Sequence, residues 1–173
     1  MEKKDNFTIL IEKLEKMEQL QKVDVSIVEI LDDLIKECKE TERFWIENEN
    51  LPIDTSFLLY HSTRNSRLVL EKMKNRFIMA AKKGENPHVI SDSIEIVPIV
   101  SELYEATLSL KERPITLEIL SFISNRLKLL RNVAYKVSML PSPEEEIAEV
   151  DKAKFKKRFS RFAETLQAMF IEA

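Results

Sequence analysis

The chain has 173 residues, 44% hydrophobic and 33% charged, which suits one folded domain and excludes a wholly disordered polymer. It contains a single glycine, Gly84, where average usage predicts about 12. Phosphate-cradling loops, dinucleotide turns and nucleophile elbows need glycine wherever backbone approaches ligand or φ is positive, so none of these is available. One Cys and two His leave no disulfide framework and no Cys/His zinc set.

The net charge of −3 conceals an asymmetry. Residues 1–50 hold 14 Asp/Glu against 8 Lys/Arg, and residues 51–173 hold 16 against 19. An acidic third and a more basic remainder can pair with each other or face different partners. Charges or prolines interrupt every apolar stretch before about 18 residues, so no transmembrane helix is expected. The start of the chain lacks the apolar core of a signal peptide, and a lone Cys38 fits a reducing compartment. A cytoplasmic protein is the resulting expectation.

The first predicted helix spans about 6–21, with Phe7, Leu10, Ile11, Leu14, Met17 and Leu20 at three- and four-residue spacing. A second spans about 26–49, where Ser26 and Glu29 have the spacing of a capping box. Its stripe is Ile27, Ile30, Leu31, Leu34, Ile35 and Cys38, with Trp45 near the far end. Leu51-Pro52-Ile53-Asp54 breaks the chain, and Asp54 is the expected cap of a third helix over 55–83. Phe57 to Tyr60, Leu68, Leu70, Met73, Phe77 and Ala81 mark its apolar side. Lys82-Lys83-Gly84 is its stop, with cations at the negative end of the dipole and then a residue able to turn left-handed.

Residues 84–93 read as a loop. In the segment around 94–112, Pro98 favours a helix beginning near 98, with a helix that Pro98 kinks one turn in and a short extended piece at 94–97 as the alternatives. After Arg113-Pro114 a helix is expected over 116–139, carrying Ile119, Ile123, Leu127, Leu130, Ala134 and Val137 on one side. Ser142-Pro143-Glu144-Glu145-Glu146 opens a last predicted helix over about 143–171. The whole reads as a single all-α domain over 1–173, a bundle of about six amphipathic helices with short connections.

No catalytic constellation emerges. His61 and His88 lie 27 residues apart, without the Glu-x-x-His spacing a dimetal bundle uses. His61 reads as an interfacial side chain and His88 as a surface one. Asp32, Asp33, Glu37, Glu40 and Glu47 read as a solvated face, and Cys38 sits on an apolar stripe where a thiol is a small hydrophobe. No cofactor, metal or small-molecule substrate is therefore expected.

Three basic clusters carry more. Residues 64–83 include Arg64 and Arg67 among seven cations opposed by Glu71 alone. Residues 126–136 hold Arg126, Lys128, Arg131 and Lys136 with no acid. Residues 152–161 hold Lys152, Lys154, Lys156, Lys157, Arg158 and Arg161, again with no acid. Such faces pair with the acidic third, contact nucleic-acid phosphates, or meet a protein partner. Leu166, Met169 and Phe170 close the chain's last apolar stripe and are candidates for docking on a partner or a second copy.

The run from Ile119 to Arg131, followed by Leu140 to Glu146, resembles the helical domain of archaeal GINS subunits of the helical-domain-first class. Phe122, Arg126, Leu127, Leu130 and Arg131 match an aromatic-x-x-x-Arg-Leu-x-x-hydrophobic-Arg helix, and Ser142 to Glu145 match a Ser/Thr-Pro-Glu-Glu loop. The match covers about 55 residues, and the β-rich domain that usually follows in that class is not among the 173. The resemblance implies a non-enzymatic subunit of a DNA-replication assembly. The expectation is a non-catalytic scaffold or adaptor binding other protein subunits, as homo- or hetero-oligomer. The alternative is a helical module that touches the DNA or RNA backbone directly.

Overall fold

A computed structural model of the chain describes residues 5–84 and 88–141. Among them are five helices and no strand. These are α1 (Asn6–Leu20), α2 (Ile27–Glu47), α3 (Ile53–Lys83), α4 (Val89–Ser109) and α5 (Leu117–Lys136). The sixth expected helix, over 143–171, lies outside the described residues.

Local chemistry sets most of the boundaries. Asp5 caps α1, its Oδ1 accepting from the Thr8 N–H at 2.8 Å. Thr116 caps α5 by accepting from the Ile119 N–H. Gly84 ends α3 as its sequence suggests, with φ +65 and its N–H donating to the Ala80 carbonyl at 3.0 Å.

Three expectations need correction. Ser26 makes no side-chain cap; its N–H donates to Asp24 Oδ1, and its hydroxyl accepts from the Lys13 ammonium. Asp54 lies within the first turn of α3, because the helix starts one residue after Pro52. The largest correction concerns α4, which begins at Val89 and runs through Pro98. Ile94 to Val97 are helical, and residues 89–93 of the expected loop form the helix's first turn. Pro98 sits on the exposed side, where water can take the carbonyl its missing N–H leaves over, while Ile96, Val97 and Val100 remain in the core.

The first four helices run antiparallel in succession. Asn6 reaches Glu37 while Lys13 reaches Ser26. Arg67 meets Glu42 while Lys74 meets Asp32. Ser62 faces Thr107 while Arg76 faces Asp92. Contact between α1 and α4 closes the first four helices into a ring, and α5 lies against α3 and α4. The core is built from the expected stripes: Phe7, Leu10, Leu14 and Met17 of α1, Leu31, Leu34, Cys38 and Trp45 of α2, and Ile123, Leu127, Leu130 and Ala134 of α5. Leu20 and Ala81, both expected inside, are exposed at helix ends.

A β-carbon added at Gly84 meets no atom within 4 Å, so only its left-handed backbone resists substitution. Gly84→Ala should therefore lower unfolding free energy by about 1 kcal/mol, read by urea denaturation with an unchanged m-value.

Candidate functional site

The middle of α3 departs from ordinary amphipathic design. Leu59 to Ser66 are buried without interruption, so the helix is enclosed on every side there, and six of these eight residues, His61 to Ser66, are polar. Backbone carbonyls one turn earlier absorb several of them. Thr63 Oγ1 donates to the Leu59 carbonyl at 2.9 Å, Asn65 Nδ2 to His61 at 2.7 Å, and Ser66 Oγ to Ser62 at 2.9 Å. Thr107 on α4 donates to the Leu103 carbonyl, and its Oγ1 lies 3.4 Å from Ser62 Oγ across the α3–α4 contact. Small hydroxyl side chains that satisfy themselves in this way let neighbouring helices approach closely.

Arg67 lies one step beyond this segment and binds Glu42 of α2 with two parallel hydrogen bonds, at 2.6 and 3.0 Å. The remaining guanidinium nitrogen holds Glu71 at 3.1 Å. The Glu42 side chain is only 4% exposed. It occupies the position between Cys38 and Trp45 on the apolar stripe of α2, a placement the sequence reading did not single out.

Other cations of α3 also turn to partners within the bundle. Lys74 pairs with Asp32, and Arg76 pairs with Asp92 at 3.4 Å. Arg76 further donates to the carbonyls of Val137 and Ser138, tying α3 to the end of α5. Arg64 is buried beside His61 rather than displayed to solvent. Between α2 and α3 lie two open clefts of about 410 and 510 Å³, where Lys36, Lys39 and Arg43 alternate with Asp32, Glu47 and Glu71. Their charges are mixed, which suits neither a strong anion site nor a strong cation site.

On α5, Arg126 pairs with Glu102 at 3.0 Å and lies 5.2 Å from the centre of the Phe122 ring. Arg131 is half-buried, close enough to His61 to influence its titration, whereas Lys128 and Lys136 are exposed. Thus Arg64 and Arg131 both bear on the titration of His61, while Arg67 and Arg126 serve separate ion pairs. Lys152, Lys156, Lys157, Arg158, Arg161, Leu166, Met169 and Phe170 lie outside the described residues.

The groups with intrinsic reactivity are shielded. Burial, reinforced by Glu42 and Glu37, pushes the Cys38 thiol far above its ordinary range, so it is not a thiolate. His61 packs against Phe57, ring centres 4.2 Å apart, and neither of its ring nitrogens has a hydrogen-bond partner among the described residues. Burial, then the charges of Arg131 and Arg64, push its pKa down to about 4. His88 is exposed, as expected. Among the described residues no group of three or more His, Cys, Asp or Glu side chains is placed to hold a metal ion. No helix among them is long and apolar enough to cross a membrane. Comparison with protein-family models, curated proteins and solved structures finds no match.

Removing Glu42 leaves two nitrogens of a mostly buried guanidinium unpaired, with only Glu71 to hold the third, whereas Glu71 is itself one-third exposed. Glu42→Ala should cost about 3 kcal/mol and Glu71→Ala about 0.5 kcal/mol, measured by denaturant unfolding. His61 adds a pH signature. Below about 6.5 the unfolded imidazole takes up a proton that the folded one refuses until about 4, so its contribution to stability falls across that window as pH falls. His61→Gln should remove up to about 3 kcal/mol of this acid sensitivity, read as the difference between variant and parent unfolding curves.

Proposed function

We propose that the chain is a non-catalytic helical scaffold or adaptor subunit of a nucleic-acid-processing assembly, acting through protein contacts. The observation that carries this reading is the inward use of α3's cations, with Arg67, Lys74 and Arg76 engaged by Glu42, Glu71, Asp32 and Asp92. A phosphate backbone laid along α3 would have to break those pairs before gaining any contact of its own. Shielding of Cys38 and His61 supports the non-catalytic part.

The resemblance to GINS helical domains supplies the context of DNA replication. Within the matching helix, Leu127 and Leu130 are core residues that any bundle needs. The stacked pair Phe122 and Arg126 is the part of the motif that packing alone does not require. Direct phosphate contact is the second reading, and Lys128 and Lys136, exposed on α5, are the side chains it would use.

Affinity purification of the tagged protein from its native cells should retain replication proteins, the replicative helicase among them, after nuclease treatment. Titration of single-stranded and duplex DNA at several salt concentrations should give weak binding with a shallow salt slope. A slope of several units that drops on Lys128→Glu and Lys136→Glu would establish direct binding instead.

A further inference from the structure

Four of the eight large apolar side chains that are exposed among the described residues lie on α5: Leu117 at 83%, Tyr135 at 53%, Phe122 at 39% and Leu129 at 37%. Single exposed apolar residues need no explanation, but these four lie in two rows. Leu117 and Tyr135 are 18 residues apart, which is five full helical turns, so they share one edge of the outer face. Phe122 and Leu129 are seven apart and share the opposite edge. Each row is symmetric about the middle of the helix, close to Arg126.

That symmetry identifies the occupant. We propose that the outer face of α5 pairs antiparallel with the same face of a second copy of this chain, about a two-fold axis near Arg126. Such a rotation keeps each edge of the helix on its own side and sets residues equidistant from the centre opposite one another. Leu117 then meets the second copy's Tyr135, and Phe122 meets its Leu129. Ser121 faces Asn132, and Asn125 faces Lys128, so polar side chains that can hydrogen-bond lie between the two apolar rows.

Charge points the same way. Glu118 in the first turn falls opposite Lys136 in the last turn, and the symmetry repeats this pair at the other end. The two helix dipoles also oppose each other favourably. A parallel pairing would set Glu118 on Glu118 and Lys136 on Lys136. The contact of Arg126 with both Glu102 and the Phe122 ring holds that ring in place before association. The inference stands on the surface of α5 alone, and it holds whichever larger assembly the chain joins.

Sedimentation equilibrium of the full chain over a concentration series should show a dimer that dissociates on dilution. Phe122→Asp or Leu129→Asp should raise the dissociation constant about tenfold or more, with helical content unchanged by circular dichroism. Glu118→Lys alone and Lys136→Glu alone should each raise it about fivefold, and the two together should restore the parental value. A monomer at every concentration overturns the proposal. So does a dimer indifferent to Leu129→Asp, or a double charge reversal no better than either single one. Binding of a different protein or of DNA to this face by the monomer alone would also replace the second copy as its occupant.

Discussion

Arg67 and Glu42 set the terms for the rest of the bundle. Glu42 occupies a core position of α2, and its charge is tolerated because the planar guanidinium of Arg67 meets both carboxylate oxygens at once. The guanidinium is fixed in turn by Glu71 one turn further along α3. A buried ion pair of this kind contributes little net stability against an apolar replacement, yet a shifted register of α2 on α3 is disfavoured because it would leave a buried charge unmet. The polar run from His61 to Ser66 imposes a similar condition, because its hydroxyl and amide groups are accommodated largely by carbonyls of the same helix.

From that constraint follows the distribution of charge. The acidic third supplies Asp32 and Glu42, the basic remainder supplies Lys74 and Arg67, and they meet as ion pairs along α2 and α3. α3 is thereby a structural spine. Its end is joined to α4 through Asp92 and to the end of α5 through the carbonyls of Val137 and Ser138 that accept from Arg76. Among the described residues α5 packs chiefly on α3 and α4, and ten of its residues are exposed on its outer face.

Much of the helical architecture was readable because it depends on local rules. Three- and four-residue spacing of Phe7, Leu10, Leu14 and Met17, or of Ile123, Leu127, Leu130 and Ala134, dictates which side of a helix turns inward. Gly84 was readable as a stop because few other residues accept its φ. Pro98 misled for a physical reason. Its helix-breaking tendency is a local penalty, and apolar packing of Val89, Ile96, Val97 and Val100 on the other side of α4 outweighs it. Ser26 misled in the same way, since Asp24 and Lys13 offered its polar groups other partners.

Composition and periodicity alone determined an all-helical chain with one glycine, an acidic start, a basic remainder and no spacing suited to a metal or nucleophile. Tertiary structure decided which charges face inward. Arg64, Arg67 and Arg126 look alike as letters on amphipathic helices, yet one is buried beside His61, one is locked to Glu42 and one is stacked on Phe122 at the surface. Periodicity records the angle of a residue around its own helix, whereas burial of a charge depends on what a second helix places opposite it. That is settled only when the helices pack.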